Sequence, residues 1–221
     1  MLGQSPERAV MQPRYAGGVV IEPAPLSQVY FSLGFHALPY AHHNRYSLHV
    51  LNNILGGGAS SRLFRLLREE RGMVYQIGSE YHAYRQDGLF VVEGSTSPQL
   101  LMHVLGLTLV EMWKLITGDQ PADEEELLKA RMQIRSQHLL ASENSNTRMS
   151  RLATQALYFG EHIPAEEILS QIENVDEQAL QRLSEHNLLQ ALAQPALAVL
   201  GPQAPEYYSL DTVQELLAQF Q

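Results

Sequence analysis

The chain has 221 residues, with 15 Lys+Arg against 24 Asp+Glu, a formal charge of −9, 45 % hydrophobic residues and no cysteine. That length and apolar content support a real core in one large domain or two small ones, which excludes disorder and disulfide-stapled miniproteins. The absence of thiols excludes disulfides, zinc fingers, iron–sulfur clusters and a cysteine nucleophile, and the acidic balance argues against a nucleic-acid-coating surface. The amino terminus shows no charged segment followed by an apolar stretch, and the apolar runs in the sequence fall short of a membrane span. The reading is a soluble chain with no signal peptide and no membrane or nucleic-acid partner.

Residues 1–14, with Pro6 and Pro13 among scattered polar residues, show no period and read as a linker or arm; a single domain is expected over 15–221. Residues 17–22 and 28–35 are β-branched and aromatic, separated by Pro23-Ala24-Pro25, and read as strands. From Asn44 the apolar positions Tyr46, Leu48, Val50, Leu51, Ile54 and Leu55 recur at helical spacing and stop at Gly56-Gly57-Gly58. Ser60-Ser61 offers an N-cap for a second helix to about Arg71, closed by Gly72. Residues 75–85 and 89–94 then read as two strands joined through Gln86-Asp87-Gly88, a hairpin signal. Helices follow over 98–117, 123–143 and 147–159, with one or two more between 165 and 189, where Asp176 is the N-cap. Residues 196–201 form a last strand and 211–220 a terminal helix. Strands in hairpins and at the ends, with helices in runs, predict an α+β fold with a largely antiparallel sheet covered by helices.

Nine histidines raise the question of a metal. His36, His42, His43 and His49 form the densest stretch, but it contains none of the close pairs, HxxEH, HxxxH or HxH, that zinc hydrolases use, and it reads as a solvated loop and helix start. No GxSxG elbow or SxxK motif supplies a nucleophile. Gly56-Gly57-Gly58 could cradle an anion but lacks a P-loop ending, so alone it reads as a helix stop and flexible turn. Arg62, Arg65, Arg68 and Arg71 recur every three residues among Leu63, Phe64, Leu66 and Leu67. On an α-helix they fan around the apolar face, with Arg65 opposite it and Arg62 and Arg68 on its flanks. The plain reading is a solvated face paired with Glu69 and Glu70; the sharper one turns Arg68 into a cleft to hold a carboxylate or a polarised carbonyl. Tyr75 opens the next strand, either as amphipathic packing or as a phenol that donates to a developing oxyanion beside Arg68.

The string Leu51-Asn52-Asn53-Ile54-Leu55-Gly56-Gly57-Gly58, then Ser60-Ser61-Arg62-Leu63-Phe64, then Leu67-Arg68-Glu69-Glu70-Arg71-Gly72-Met73-Val74-Tyr75 closely resembles the carboxyl-terminal half of the pitrilysin/insulinase superfamily of zinc metallopeptidases, in the branch of mitochondrial processing peptidase. The resemblance covers roughly residues 15–201. It implies a repeated α+β domain that faces a homologous half, in the same polypeptide or another subunit, across a closed chamber. The amino-terminal half of such proteins binds zinc through HxxEH and a distant Glu. This sequence has no HxxEH, the nearest text being His42-His43-Asn44-Arg45-Tyr46, so the resemblance implies the half that binds no zinc, inactive alone, with zinc in the partner half. By position it gives Arg68 and Tyr75 the role of reaching the substrate carbonyl, and it adds Gly56, Gly57 and Gly58 as substrate-binding candidates. The function expected is closure of a peptide chamber in a zinc endopeptidase; the alternative is a non-catalytic assembly subunit of the same family.

Overall fold

The computed structural model describes residues 13–220. In chain order its elements are β1 (Gly18–Pro23), β2 (Val29–Ala37), α1 (Arg45–Gly56), a π-helical segment (Phe64–Glu70), β3 (Val74–Ala83), β4 (Gly88–Thr96), α2 (Leu101–Thr117), α3 (Glu124–Glu143), α4 (Ser145–Phe159), α5 (Ala165–Glu173), α6 (Glu177–Leu183), a second π-helical turn (Ser184–Leu188), α7 (Leu189–Leu192), β5 (Ala196–Gly201) and α8 (Leu210–Ala218). The arm expected over 1–14 lies outside the described residues except for Pro13 and Arg14. Tyr15, where the domain is expected to begin, donates its hydroxyl to the Gly34 carbonyl at 2.9 Å.

The strands form one sheet in the order β1-β5-β2-β4-β3. All pairings are antiparallel except β1 with β5, so the α+β expectation holds with one parallel edge. Alternation along β2 decides which side of the sheet is core. Val29, Phe31, Leu33 and Phe35 are buried on one face, and their rung partners Gly94, Val92 and Phe90 on β4 and Val199 and Leu197 on β5 share it. The helices gather there, supplying Leu48, Leu55, Leu67, Leu105 and Leu183, all fully buried; each contributes about 2 kcal/mol. The opposite face presents Val20, Tyr30 and Leu200 at 63, 47 and 41 % exposure, so it is left open.

The Pro98–Thr117 stretch is long and apolar enough to cross a membrane by length and composition, contrary to the sequence-based expectation that no run reached that length. Its place in the fold explains the composition: Leu101, Val104, Leu105, Leu109 and Met112 pack into the core. The hairpin falls where Asp87-Gly88 predicts it, for a different physical reason. Gly88 is not in the left-handed region; a Cβ there would meet the Leu38 carbonyl oxygen at 2.1 Å, so only glycine permits the close approach.

The arginines after the glycine turn do not pair with Glu69 and Glu70 as the plain reading expects. Arg62 is drawn into the α2–α3 junction, where Nε and Nη2 donate to the two Glu126 carboxylate oxygens at 2.7 Å each. It also donates to the Gln120 and Pro121 carbonyls at 2.9 Å, and its Nη1 stands 3.5 Å from Glu111. The partners lie 49 to 64 residues away, which is why helix-wheel reasoning cannot find them. Glu126 also completes the capping box of α3 with Asp123, so one carboxylate joins two elements. Arg62→Ala is therefore expected to lower stability by about 3 kcal/mol in urea unfolding, because it strands Glu111 and Glu126 unpaired in a largely buried junction; an unchanged midpoint would contradict this.

Candidate functional site

Two local departures from regular structure shape the start of β3, where Arg68 bonds the carbonyl of Val74, the residue before Tyr75. The helix expected from Ser61 to Arg71 winds as a π-helix over Phe64–Glu70, a form that recurs at functional sites. Ser61 does not cap it; its hydroxyl donates back to the Gly58 carbonyl at 2.6 Å. Leu63 and Leu67 enter the core, which leaves Arg68 exposed on the flank. Gly72 at φ +58 turns the chain, and Arg68 Nη1 then donates to the Val74 carbonyl at 2.7 Å. No carboxylate pairs with Arg68 among the described residues, so its remaining N–H donors are free for another acceptor.

The second departure is a β-bulge. Val74 pairs with Thr96 and Gln76 with Ser95, so Tyr75 is the extra residue on β3. Val74 and Ile77 are both buried, three apart instead of two, and the bulge absorbs the odd residue by placing Tyr75 and Gln76 together on the open face. Tyr75 is 55 % exposed. Gln76 continues into a groove of about 370 Å³ across the open face, lined among others by Val20, Glu22, Tyr30, Glu93 and Leu200. Neither the groove nor Gln76 is visible to motif reasoning.

The glycine turn lies against the middle of β3, four residues beyond Tyr75 and so about 13 Å along the strand. A Cβ on Gly56 would stand 2.5 Å from the Ser79 backbone nitrogen. The Gly57 carbonyl accepts from Gln133 Nε2 at 2.9 Å, and the Gly58 carbonyl is taken by Ser61. Two carbonyls of the turn are thus already bonded, and the turn is a packing joint between α1, α3 and β3.

The dense histidines do not converge. His36 pairs with Asp87 at 2.5 Å, His42 and His43 stack at 4.3 Å, and His49 meets the edge of the Tyr81 ring at 4.9 Å. Among the described residues no three His, Asp or Glu side chains come together as a metal-binding group. Burial, and then the Arg45 charge, pull the His49 pKa down to about 4. Burial raises the Tyr81 phenol to about 12.

Two consequences are measurable. Gly56→Ala should cost about 2 kcal/mol, since the methyl would collide with the Ser79 backbone nitrogen and with its Cβ and Oγ; tolerance of alanine would show that the contact is slack. His49 binds its proton less readily folded than unfolded, so its contribution is present above pH 6.5 and lost as pH falls towards 4. The stability difference between wild type and His49→Phe should shift by about 3 kcal/mol across that window, in favour of the variant at the acid end. A pH-independent difference would contradict the shift.

Comparison with known proteins bears out the resemblance. The family model described as the peptidase M16 inactive domain matches residues 3–134. The chain is 33 % identical over 175 residues to an uncharacterized zinc protease of Rickettsia felis, an alignment covering 79 % of this chain and 42 % of that protein. It is 31 % identical over 175 residues to one of Bacillus subtilis, with the same coverage. The chain thus spans about two-fifths of the length of these relatives. Among solved structures, a peptidase M16 inactive domain from Pseudomonas fluorescens superposes with a TM-score of 0.76 at 19 % identity, over 88 % of this chain and 46 % of that one. A chain of the Candida albicans complex III dimer superposes with a TM-score of 0.77 at 15 % identity, over 90 % and 49 %. These two likenesses establish the same α+β fold, and the family match with the close relatives establishes the rest: the chain belongs to the peptidase M16 inactive-domain family and is a non-catalytic domain of the M16 zinc-protease type.

Proposed function

We propose that this domain is the substrate-clamping half of a two-part zinc endopeptidase, closing a peptide chamber opposite a homologous zinc-binding half. The observation that carries the reading is the bulge that leaves Tyr75 exposed directly after Val74, whose carbonyl Arg68 bonds while its other N–H groups stay free. A peptide carbonyl held there would accept from both, and both bonds strengthen as its oxygen gains negative charge. On this reading the hydrolytic nucleophile belongs to the partner half, where a bound zinc would supply hydroxide near neutral pH; among the described residues of this chain no metal donor set gathers. This chain's own work is to orient the extended peptide along β3 and to stabilise charge on the carbonyl oxygen. The glycine turn supports β3 from behind through Gly56 and Ser79.

The test is turnover of a fluorogenic peptide by this domain combined with an HxxEH-bearing half, comparing wild type, Arg68→Ala and Tyr75→Phe. Each variant should lose about a hundredfold in kcat without unfolding. Full activity in both would remove the clamp role, and a stable but inactive wild-type assembly would favour the assembly-subunit reading instead.

A further inference from the structure

Tyr75 occupies a position on β3 that the β3–β4 ladder does not hold, because Val74 pairs with Thr96 and Gln76 with Ser95. Its orientation therefore rests on the residues just before it. Gly72, at φ +58, gives that approach little stiffness of its own. Met73 is instead gripped from both sides of the chain: its N–H donates to the Leu67 carbonyl at 2.8 Å, and its carbonyl accepts from Thr96 Oγ1 at 2.6 Å. The Val74 carbonyl is then taken by Arg68. Of the two side chains that make these anchors, Arg68 is exposed and Thr96, at the end of β4, is fully buried at 0 % exposure. Its rung partners are Val29 and Val74, apolar surroundings in which valine would fill the same space. A hydroxyl sits well there because the Met73 carbonyl uses it.

We propose that Thr96 is a positioning residue for the Arg68–Tyr75 pair. By tethering the Met73 carbonyl it fixes the start of the bulge, and so sets where the Tyr75 phenol stands relative to the Arg68 guanidinium. The catalytic consequence rests on the clamp reading above; the tether itself does not. Thr96 touches no substrate and acts only through the backbone of Met73 and Val74.

Two substitutions separate the hydroxyl from the methyl. Thr96→Val keeps the volume and removes the donor, whereas Thr96→Ser keeps the donor and removes volume. In the domain alone, hydrogen exchange at the Met73 amide should speed up about tenfold in Thr96→Val and stay near wild type in Thr96→Ser. The reverse order would show that Thr96 serves packing and would overturn the proposal, as would no change in either variant. In the assembled peptidase, with a fluorogenic peptide, Thr96→Val should lower kcat by at least about tenfold with KM nearly unchanged, and Thr96→Ser should restore it. If Arg68→Ala and Tyr75→Phe leave turnover intact, the clamp reading fails while the exchange result still decides the tether. If those variants are impaired and Thr96→Val is not, only the positioning role is overturned.

Discussion

Because the helices gather on one face of the sheet, a residue's role follows largely from which side its register gives it. Phe31, Leu33 and Phe35 are held inward by their rungs with Gly94, Val92 and Phe90, and β5 keeps the same alternation, whereas on β4 Val91 and Ser95 are buried on the other face as well. On β3 the same rule meets an extra residue. Burial of both Val74 and Ile77 forces the strand to bulge, and the cost of losing one ladder pair is offset by keeping both apolar side chains in the core. The exposed phenol of Tyr75 is thus a consequence of core packing rather than a separate device. Its place on an edge strand leaves it accessible to a peptide from outside.

The elements behind this edge are locked to one another by a few long-range polar contacts. Arg62 joins the start of the π-helical segment to the α2–α3 junction, and Gln133 of α3 holds the glycine turn that backs β3. Arg68, six residues beyond Arg62, is left to cap the Val74 carbonyl. The neighbouring arginines therefore divide their labour by reach. The one facing the acidic junction is spent on structure, and the one on the opposite flank keeps free donors at the surface.

Much of the fold is legible in local chemistry. Asp123 and Asp176 cap α3 and α6 as their residue types and positions suggest, the strand at residues 196–201 follows its apolar run, and α1 ends at the glycines that stop its period. What escapes a local reading depends on partners far along the chain. The parallel β1–β5 pairing, the π-helical winding and the Arg62 ion pairs are products of tertiary packing that no short window contains. The site divides the same way. Arg68 and Tyr75 can be singled out by type and by the Leu51–Tyr75 string, whereas the bulge emerges only from the pairing of Val74 and Gln76 with adjacent residues of β4. The tether from Thr96, 23 residues beyond Met73, becomes visible only once β3 and β4 are paired.

A domain that contributes donors but no metal to a shared peptidase site is best checked by measuring bound zinc and peptide hydrolysis together, for the domain alone and after mixing with an HxxEH-bearing half. Neither is expected in the isolated domain, and the mixture should hydrolyse peptide with zinc in proportion to the partner half alone. Stoichiometric zinc and hydrolysis in the isolated domain would contradict this reading and return the dispersed histidines to the centre of the mechanism.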